Sequence, residues 1–404
     1  MRKKTTGILV LAMALTLSAC GKEQLIIEQP TVPESICTSE ESVSRADSNE
    51  DIESESIETE VPESESVPEE TVPVETVVEK EDEIVTITVS AAGDVTLGNL
   101  YGMTYEWSFD EMYELQSPEY FFESVKPIFE ADDMTIVNFE GVLTLTNDRV
   151  EKKYNMKGDP EYVHILTAGD IEAVSFANNH RMDYSQQGSD DTVAAFESVD
   201  ISYAYDSVVG YYETKGITIG FISFNEVYDG TAVEQFIKDG MAELKEAEVD
   251  LILACCHWGS ELAHYPEEYQ TTLAHMCIDL GADLVIGHHP HVLQGVDIYN
   301  GKYIVYSLGN FCFGGNKNPK DKDSMIFQQT FTFVNGEKQQ DDNIKVIPVH
   351  ISSMKNRNDY QPTPVEGEEA VKVIDRVNKY SEGFGLKFDY DGYLIKADAE
   401  EMEQ

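Results

Sequence analysis

Five apolar segments of the chain are each followed at once by polar residues of the types that bind metal ions. In chain order, these endings are Gly93-Asp94, Asn138-Phe139-Glu140-Gly141, Asn178-Asn179-His180, His257-Trp258-Gly259-Ser260-Glu261 and Gly287-His288-His289-Pro290-His291. Because the strands of open α/β sheets gather their ligands at their carboxyl-terminal ends, these side chains are predicted to meet at one edge. Imidazole nitrogens and carboxylate oxygens suit divalent ions such as Mn, Fe or Zn. The pattern therefore predicts a site for one or two divalent ions.

The elements that would position these residues alternate between strand-like and helix-like segments. The predicted strands are Ile84 to Val89, Met134 to Asn138, Ala173 to Ala177, Ile217 to Asn225, Leu251 to His257, Leu284 to Gly287, Tyr303 to Ser307, Met325 to Val334 and Lys345 to Ile351. The predicted helices are Tyr120 to Ala131, Ser185 to Val199, Val233 to Ala247, Glu267 to Gly281 and Gly367 to Glu382. Such alternation favours a parallel sheet covered by helices, and the strand-rich final third suggests a second, more antiparallel sheet.

The first residues are typical of a secreted lipoprotein. A basic start with Arg2, Lys3 and Lys4 precedes an apolar run and then Leu17-Ser18-Ala19-Cys20. The run is too short to span a bilayer, and its order is that of a secretory signal. We expect residues 1–20 to be a lipoprotein signal with Cys20 as the lipidated residue, the alternative being an ordinary signal peptide with an incidental cysteine. The expected location is the extracellular face of the bacterial cell membrane, lipid-anchored.

Residues 21–83 have the composition of an acidic, disordered tether. Glu, Ser, Val, Pro and Thr dominate this stretch and it contains no aromatic residue, so it offers little to bury in a core. Residues 84–404 are then predicted to form the folded domain. The whole chain carries a formal net charge of −48 and shows no basic stripe, which excludes a nucleic-acid partner. The adjacent Cys255 and Cys256 are interpreted as small apolar strand residues.

The order Asp, acidic residue, Asn-His, His and His-x-His resembles the ligand order of calcineurin-like metallophosphoesterases. The local sequence of these motifs resembles still more closely the CapA (capsule and poly-γ-glutamate biosynthesis) branch of that superfamily, over about residues 84–355. The phrases that carry this resemblance are Ala91-Ala92-Gly93-Asp94-Val95, Asn138-Phe139-Glu140, Ala177-Asn178-Asn179-His180, Cys256-His257-Trp258-Gly259, Gly287-His288-His289-Pro290-His291-Val292-Leu293-Gln294-Gly295 and Tyr306-Ser307-Leu308-Gly309-Asn310-Phe311. The implied fold is an α/β calcineurin-like αββα sandwich, two packed mixed sheets flanked by helices.

The resemblance also implies roles for individual residues. It makes His180 the catalytic candidate. The metal-site candidates are Asp94, Glu140, Asn179, His257, His289 and His291. Three features depart from a typical metallophosphoesterase: Val95 and Thr96 follow Asp94 where an Asp-x-His motif has its histidine, Glu140 replaces an aspartate, and Arg181 follows the Asn-His pair. The branch shares the first two departures, and the absent histidine leaves open whether one ion or two are bound.

For function, the resemblance implies the synthesis, release or export of an anionic surface polymer, poly-γ-glutamate or a capsule. The expected partners are that polymer or its precursor, the membrane through the N-terminal lipid, and polymer-synthase membrane proteins. A metal-dependent hydrolase-like site is one interpretation; a catalytically weak metal-binding scaffold and a cell-surface phosphoesterase are the alternatives.

Several residues near these motifs have two interpretations each. His288 is either structural or a ligand, Glu261 either supports the site or is solvated, and Asn310 either orients a ligand or forms a turn. Trp107, Phe109 and Tyr113 either line a cleft or cap the core. A basic loop with Lys317, Lys320 and Lys322 follows Gly314-Gly315, and it could meet an anionic substrate.

Overall fold

Two β-sheets lie face to face in the computed structural model, which describes residues 82–340 and 342–395. The predicted signal with Cys20, and the tether as far as residue 81, lie outside the described residues. The first strand begins at Ile84, where the predicted strand begins. The described residues belong to one compact unit, Val77–Gln404.

The strands supply two large sheets and one small one. In chain order they are β1 (Ile84–Thr96), β2 (Asn99–Leu100), β3 (Met134–Phe139), β4 (Val142–Leu143), β5 (Met156–Gly158), β6 (Ala173–Ser175), β7 (Ser202–Ala204), β8 (Gly210–Thr214), β9 (Ile217–Asn225), β10 (Leu251–His257), β11 (Leu284–His288), β12 (Val296–Tyr299), β13 (Lys302–Val305), β14 (Asn310–Phe313), β15 (Asp323–Val334), β16 (Glu337–Lys338), β17 (Ile344–His350) and β18 (Thr363–Pro364).

Both large sheets are mixed. The first has the order β18-β17-β15-β1-β3-β6-β7, with β14 also paired to β1 and β16 to β15. In it, β1, β3, β6 and β7 run parallel, whereas β15 is antiparallel to β1. The second has the order β12-β13-β11-β10-β9-β8 and is parallel from β13 to β9. A small sheet of β2, β5 and β4 lies beside them.

Helices cover the outer faces of the sandwich. They are α1 (Phe109–Leu115), α2 (Lys126–Phe129), α3 (His164–Ala168), α4 (Ser185–Ser198), α5 (Glu226–Asp229), α6 (Val233–Glu246), α7 (Glu268–Asp279) and α8 (Gly367–Ser381). Apolar residues of α1 to α4 pack on the outer face of the first sheet, and those of α6 and α7 pack on the second. The apolar residues of α8 instead join the core between the two sheets. This layering confirms the predicted αββα sandwich. None of the described helices is long and apolar enough to cross a membrane.

The core between the sheets follows from the alternation of side chains along the strands. Ile87, Val89 and Ala91 of β1 face the second sheet and are fully buried against residues such as Phe221 and Leu253. On the opposite face of β1, apolar residues pack against the helices. The central strands of both large sheets are therefore buried on both faces.

Two sequence predictions about the elements are wrong. The final third does not form a separate antiparallel sheet, because β15 and β17 join the first sheet beside β1. The helix predicted from Tyr120 to Ala131 is broken into a 3₁₀ turn, Pro118–Phe121, and the short α2. Pro127 explains the break: a continuous helix would need its backbone N–H, which proline lacks, whereas proline is tolerated in the first turn of the short α2, where it lies.

Candidate metal centre

The carboxyl-terminal ends of five strands meet at one edge of the sandwich. Asp94 lies near the end of β1, Glu140 follows β3, and His257 ends β10. The pairing of β1 with β3 shifts register between Ala92 and Asp94, and such a bulge re-aims the next side chain. At this bulge the Asp94 N–H donates to Gly309 O (2.9 Å), and a Cβ on Gly93 would lie only 2.0 Å from that oxygen. Glycine at position 93 therefore permits the approach that fixes Asp94.

One group of candidate ligands contains Asp94, Glu140 and His291, whose ligand atoms all lie within 4.8 Å of one another. His291 Nδ1 lies 3.1 Å from Asp94 Oδ2, and His291 Nε2 lies 3.7 Å from Glu140 Oε1. Both carboxylates are fully buried. This group therefore combines two carboxylates with one imidazole.

A second group contains Glu140, His257 and His289, again within 4.8 Å of one another. The rings of His257 and His289 lie 4.7 Å apart between centroids, and Asn179 Oδ1 lies 3.1 Å from His257 Nε2. The structure thus brings together all six predicted metal-site residues, and Glu140 belongs to both groups. A carboxylate in that position is placed to bridge two ions.

The polar atoms of these groups fit a divalent cation. Among the described residues, both oxygens of Glu140 and Nδ1 of His289 are buried without a hydrogen-bond partner. A buried polar atom without a partner is expensive, and an unpaired buried charge more so. Because a bound cation would remove this penalty, the donor set fits one or two divalent ions.

The ionisable groups have strongly perturbed affinities for protons. Burial raises the pKa of Glu140 to about 8. Burial also acts against the charge of Asp94, but its contacts with His288 and His291 hold its pKa well below the usual range. Burial disfavours protonated His291, yet the neighbouring carboxylates of Glu140 and Asp94 raise its pKa to about 10. Burial, together with repulsion from His291, lowers the pKa of His289 to about 3.

The backbone is strained where two of the ligand candidates lie. His289 has φ of 94° and His291 has φ of 57°, on either side of Pro290. Non-glycine residues rarely adopt positive φ, and such strain persists only where the surrounding structure enforces it. The loop after β11 therefore holds both imidazoles at the site at the expense of backbone strain.

His180, the predicted catalytic residue, is held from behind by a buried carboxylate. Its Nδ1 lies 2.8 Å from Asp183 Oδ2, and its Nε2 lies 3.7 Å from Glu140 Oε1. Asp183 also forms an ion pair with Lys152 and accepts the Met156 N–H (2.6 Å). Burial lowers the pKa of His180, and Asp183 opposes that effect. The acidic partner that the sequence lacks at Arg181 is therefore supplied by Asp183, which the sequence analysis missed.

Two asparagines contact the ligand candidates, and a third lies beside them in the sheet. Asn138 Nδ2 donates to Asp94 Oδ1 (2.8 Å), and Asn310 Oδ1 lies 3.0 Å from His291 Nδ1, so Asn310 orients a ligand candidate. Asn225, at the end of β9, pairs in register with His257, and its buried Oδ1 has no hydrogen-bond partner in the described chain. Asn225 was also missed, although it ends a predicted strand as the other site residues do.

His288 lies against the site without joining either ligand group. Its buried Nδ1 is 3.5 Å from Asp94 Oδ1. The remaining histidines have other partners: the His264 ring stacks on Tyr380 and the His275 ring on Tyr299. His350 pairs with Asp323 at 3.2 Å.

The other sequence alternatives also resolve. Cys255 and Cys256 are free, buried strand residues. Phe109 is buried and packs with Phe121 at 4.7 Å, and Tyr113 packs against the same core, so these two rings cap the core. Trp107 is largely exposed, and Arg357 lies over its ring.

The site opens into a cleft of about 650 Å³. Its lining includes His180, His291 and Glu261 from the site side and Tyr105, Tyr154 and Lys317 from the walls. The buried ligands can thus be reached from solvent past these residues, as expected for a binding cleft.

Comparison with known proteins assigns the chain to a family. The family profile described as "Bacterial capsule synthesis protein PGA_cap" matches residues 88–315, more than half of the chain. The chain belongs to this family, and the matched region contains every candidate ligand.

Two similar relatives come from bacilli. The PGA biosynthesis protein CapA of Bacillus subtilis (strain 168) is 29% identical over 332 residues, covering 76% of this chain and 81% of that protein. The capsule biosynthesis protein CapA of Bacillus anthracis is 28% identical over 278 residues, covering 62% and 65%.

Solved structures show more distant similarity. A hypothetical protein from Thermus thermophilus has a TM-score of 0.41 and 15% identity, covering 65% of this chain and 98% of its own. The NAD nucleotidase NadN of Haemophilus influenzae has a TM-score of 0.36 and 11% identity, covering 74% and 63%.

Proposed function

We propose that this chain acts in the synthesis, release or export of an anionic surface polymer, poly-γ-glutamate or a capsule, through a metal-dependent hydrolase-like site. Membership of a family of bacterial capsule synthesis proteins supports the role in polymer biosynthesis. The names of the Bacillus relatives, a PGA biosynthesis protein and a capsule biosynthesis protein, point the same way. Anchoring at the extracellular face of the membrane through Cys20 is part of the proposal and is supported by the first twenty residues of the sequence.

The strongest support for a hydrolase-like site is the environment of Glu140. Its two carboxylate oxygens are buried without a donor among the described residues, and it belongs to both groups of ligand atoms. A buried carboxylate kept only for packing would leave a large penalty uncompensated. Two ions on either side of it would account for its position and for the orientation of the surrounding imidazoles.

Divalent ions held there would polarise a phosphoryl or acyl oxygen and supply an activated water as nucleophile. The chain's own residues then have separate tasks. Asp94, Glu140, Asn179, His257, His289 and His291 would hold the ions, whereas His180 lines the cleft beside them. Because Asp183 occupies Nδ1 of His180, the Nε2 atom is available to exchange a proton with a leaving-group oxygen.

One observation favours the second candidate, a metal-binding scaffold. Where a typical metallophosphoesterase has a ligand histidine, this chain has Thr96, which is buried with its hydroxyl directed at the Met156 sulfur (3.8 Å). The group with Asp94 and His291 therefore has fewer protein ligands than the other. In the scaffold candidate the ions would be structural and His180 would carry no chemistry.

The test is elemental analysis and hydrolysis assays on the full-length chain purified in detergent, compared with His180→Gln and with His164→Ala, a surface histidine, as control. Substrates would be poly-γ-glutamate, a phosphodiester and a phosphomonoester. We expect metal in all three proteins and hydrolysis in wild type and His164→Ala, with loss in His180→Gln. Metal without turnover in every protein would support the scaffold instead. Hydrolysis of the phosphoesters alone would indicate a phosphoesterase, and absence of metal would refute both proposals.

A further inference from the structure

We propose that Lys317, in the lining of the metal cleft, and Lys153, beside the lining residue Tyr154, form a cationic rim that holds an extended polyanionic chain across the site. This inference rests on the proposed function for the identity of the polymer, and it assigns the residues that recognise its charge. Two features support it: the lack of an acidic partner for these two cations, and the direction in which the cleft continues.

The cleft is large enough for a chain rather than a single small anion. A second cavity of about 470 Å³ adjoins it, and the two share Leu100, Gly102 and Met103 as a common wall. Lys157 lines the second cavity, and its Nζ donates to Thr146 O (2.7 Å). A polymer segment that lies over the metal site can therefore continue past the Leu100–Met103 turn.

Lys317 is the member of the basic loop that faces the site. It is exposed, lines the cleft with His180 and His291, and has no carboxylate partner among the described residues. Its Nζ lies 6.0 Å from the centre of the Tyr105 ring, a contact that leaves the charge available. Lys320 and Lys322 line a different pocket. Lys322 is further occupied by two backbone carbonyls, Met354 O and Arg357 O.

Lys153 lies beside another residue of the cleft lining, Tyr154. It is exposed, and its Nζ lies 4.5 Å from the centre of the Tyr154 ring, which itself lines the cleft. In the part of the chain that is described, Lys153 also forms no ion pair. Lys152, Arg181 and Arg376, by contrast, are each paired with a carboxylate. Lys317 in the cleft lining and Lys153 next to it would concentrate anions there despite the net charge of −48.

One acidic residue, Glu261, lines the same cleft and is exposed. Its charge opposes that of Lys317 and Lys153 at the same place. This supplies a test of sign: if the cleft recognises negative charge, neutralising Glu261 must strengthen binding, whereas removing Lys317 must weaken it. Lys320, three residues beyond Lys317 in the same loop, is the matched control.

The experiment is fluorescence anisotropy of labelled poly-γ-glutamate of defined length with the full-length chain in detergent, after chelation and after metal loading, at low and at physiological salt. We expect Lys317→Ala and Lys153→Ala each to weaken binding about three- to tenfold, and Glu261→Gln to tighten it about two- to fivefold. Lys320→Ala should change it less than about twofold, and salt should weaken binding in every protein. Inorganic polyphosphate as competitor shows which anions the cleft recognises. If polyphosphate displaces the polymer, the cleft recognises negative charge in general; if it does not, the cleft recognises carboxylates.

The inference is overturned if the wild-type chain does not bind the polymer at low salt, or if Lys317→Ala and Lys320→Ala weaken binding equally. Because binding is measured in chelated protein, it does not depend on turnover. Binding with the expected pattern but without hydrolysis would refute the proposed hydrolase and leave this inference standing. Hydrolysis by a protein in which Lys317→Ala binds the polymer as tightly as wild type would refute this inference and leave the hydrolase standing. Thermal unfolding of each variant shows whether the exposed substitutions leave the fold intact.

Discussion

Replacing Glu140 with glutamine should change stability in opposite directions depending on whether metal is present. In the metal-free protein, Glu140 is fully buried and none of the described residues donates a hydrogen bond to it. Its pKa is raised from 4.5 to about 8 by burial. The unfolded chain therefore loses this proton near pH 4.5, whereas the folded chain keeps it to about pH 8. The metal-free protein is therefore most stable below pH 4.5, and its free energy of unfolding falls as the pH rises towards about 8.

The size of the effect follows from the shift. At about 1.4 kcal/mol per pKa unit, the ionised Glu140 carboxylate destabilises the folded protein above pH 8 by at most about 5 kcal/mol. Water that enters from the cleft would solvate part of the charge, and the substitution also removes the attraction between Glu140 and protonated His291. We therefore expect Glu140→Gln to stabilise the metal-free protein by about 1–3 kcal/mol at pH 8.5 and little at pH 4.5. With metal bound the sign reverses, since glutamine is a poorer ligand and the variant forfeits the stabilisation that binding provides.

The assay is urea unfolding of the full-length chain in detergent, chelated and metal-saturated, at both pH values. Glu261→Gln serves as control because that glutamate is exposed in the same cleft, and its free energy of unfolding should stay within about 0.5 kcal/mol of wild type. A chelated Glu140→Gln protein that is less stable than wild type at pH 8.5 would refute the reasoning. It would mean that contacts within the protein already stabilise the carboxylate, so that no bound cation is needed to compensate its charge.

Three further predictions concern metal content, catalysis and Asp132, a carboxylate away from the site. His291→Ala should reduce bound metal by one ion while the group containing His289 keeps its own, whereas Glu140→Gln should lose both; equal loss in the two variants, by elemental analysis, would contradict the two-group arrangement. Asp183→Asn should lower kcat about 10²–10⁴-fold with metal content unchanged, because His180 loses the group that fixes its tautomer, and an unchanged kcat would exclude that role. Burial raises the pKa of Asp132 to about 7, so Asp132→Asn should stabilise the chain by about 1–2 kcal/mol at pH 8 and not at pH 4; an equal effect at both values in urea unfolding would contradict this assignment.

The strands that position the site could be predicted because their apolar runs are bounded by polar residues. Ile217–Asn225 and Leu251–His257 match the predicted strands at both ends, and both are buried on the two faces of a sheet. The two- and three-residue strands β2, β4 and β5 could not be predicted, since segments this short show no periodicity. The sheet to which β15 belongs depends on its pairing with β1, more than 230 residues away in sequence, which local patterns do not encode.

The candidate ligands could be identified for a similar reason, because each follows a strand and strand ends converge. Asp183 could not, since it lies in a turn and acts through the folding of that turn around His180. Asn225 could have been identified from the sequence, because it ends a predicted strand, as His257 does in the neighbouring strand. The chemical environment also had to come from the structure: only the three-dimensional arrangement shows that Glu140 lacks a donor and that Lys317, but not Lys322, is free to meet a ligand.

The absent Asp-x-His histidine bears on the choice between enzyme and scaffold. Structural metal sites have a closed shell of protein ligands, whereas catalytic sites keep a position open for water or substrate. The group with His257 and His289 is buried, but His291 of the other group lines the cleft. The position that lacks a histidine therefore belongs to the ligand group that reaches the cleft, where an open position can be used. A ligand missing there would leave an ion open to water or substrate, whereas a ligand missing from the buried group would only weaken metal binding. The departure from the common motif therefore fits an enzyme as well as a scaffold, and substitution of His180, which lines the same cleft and is held by Asp183, separates the two.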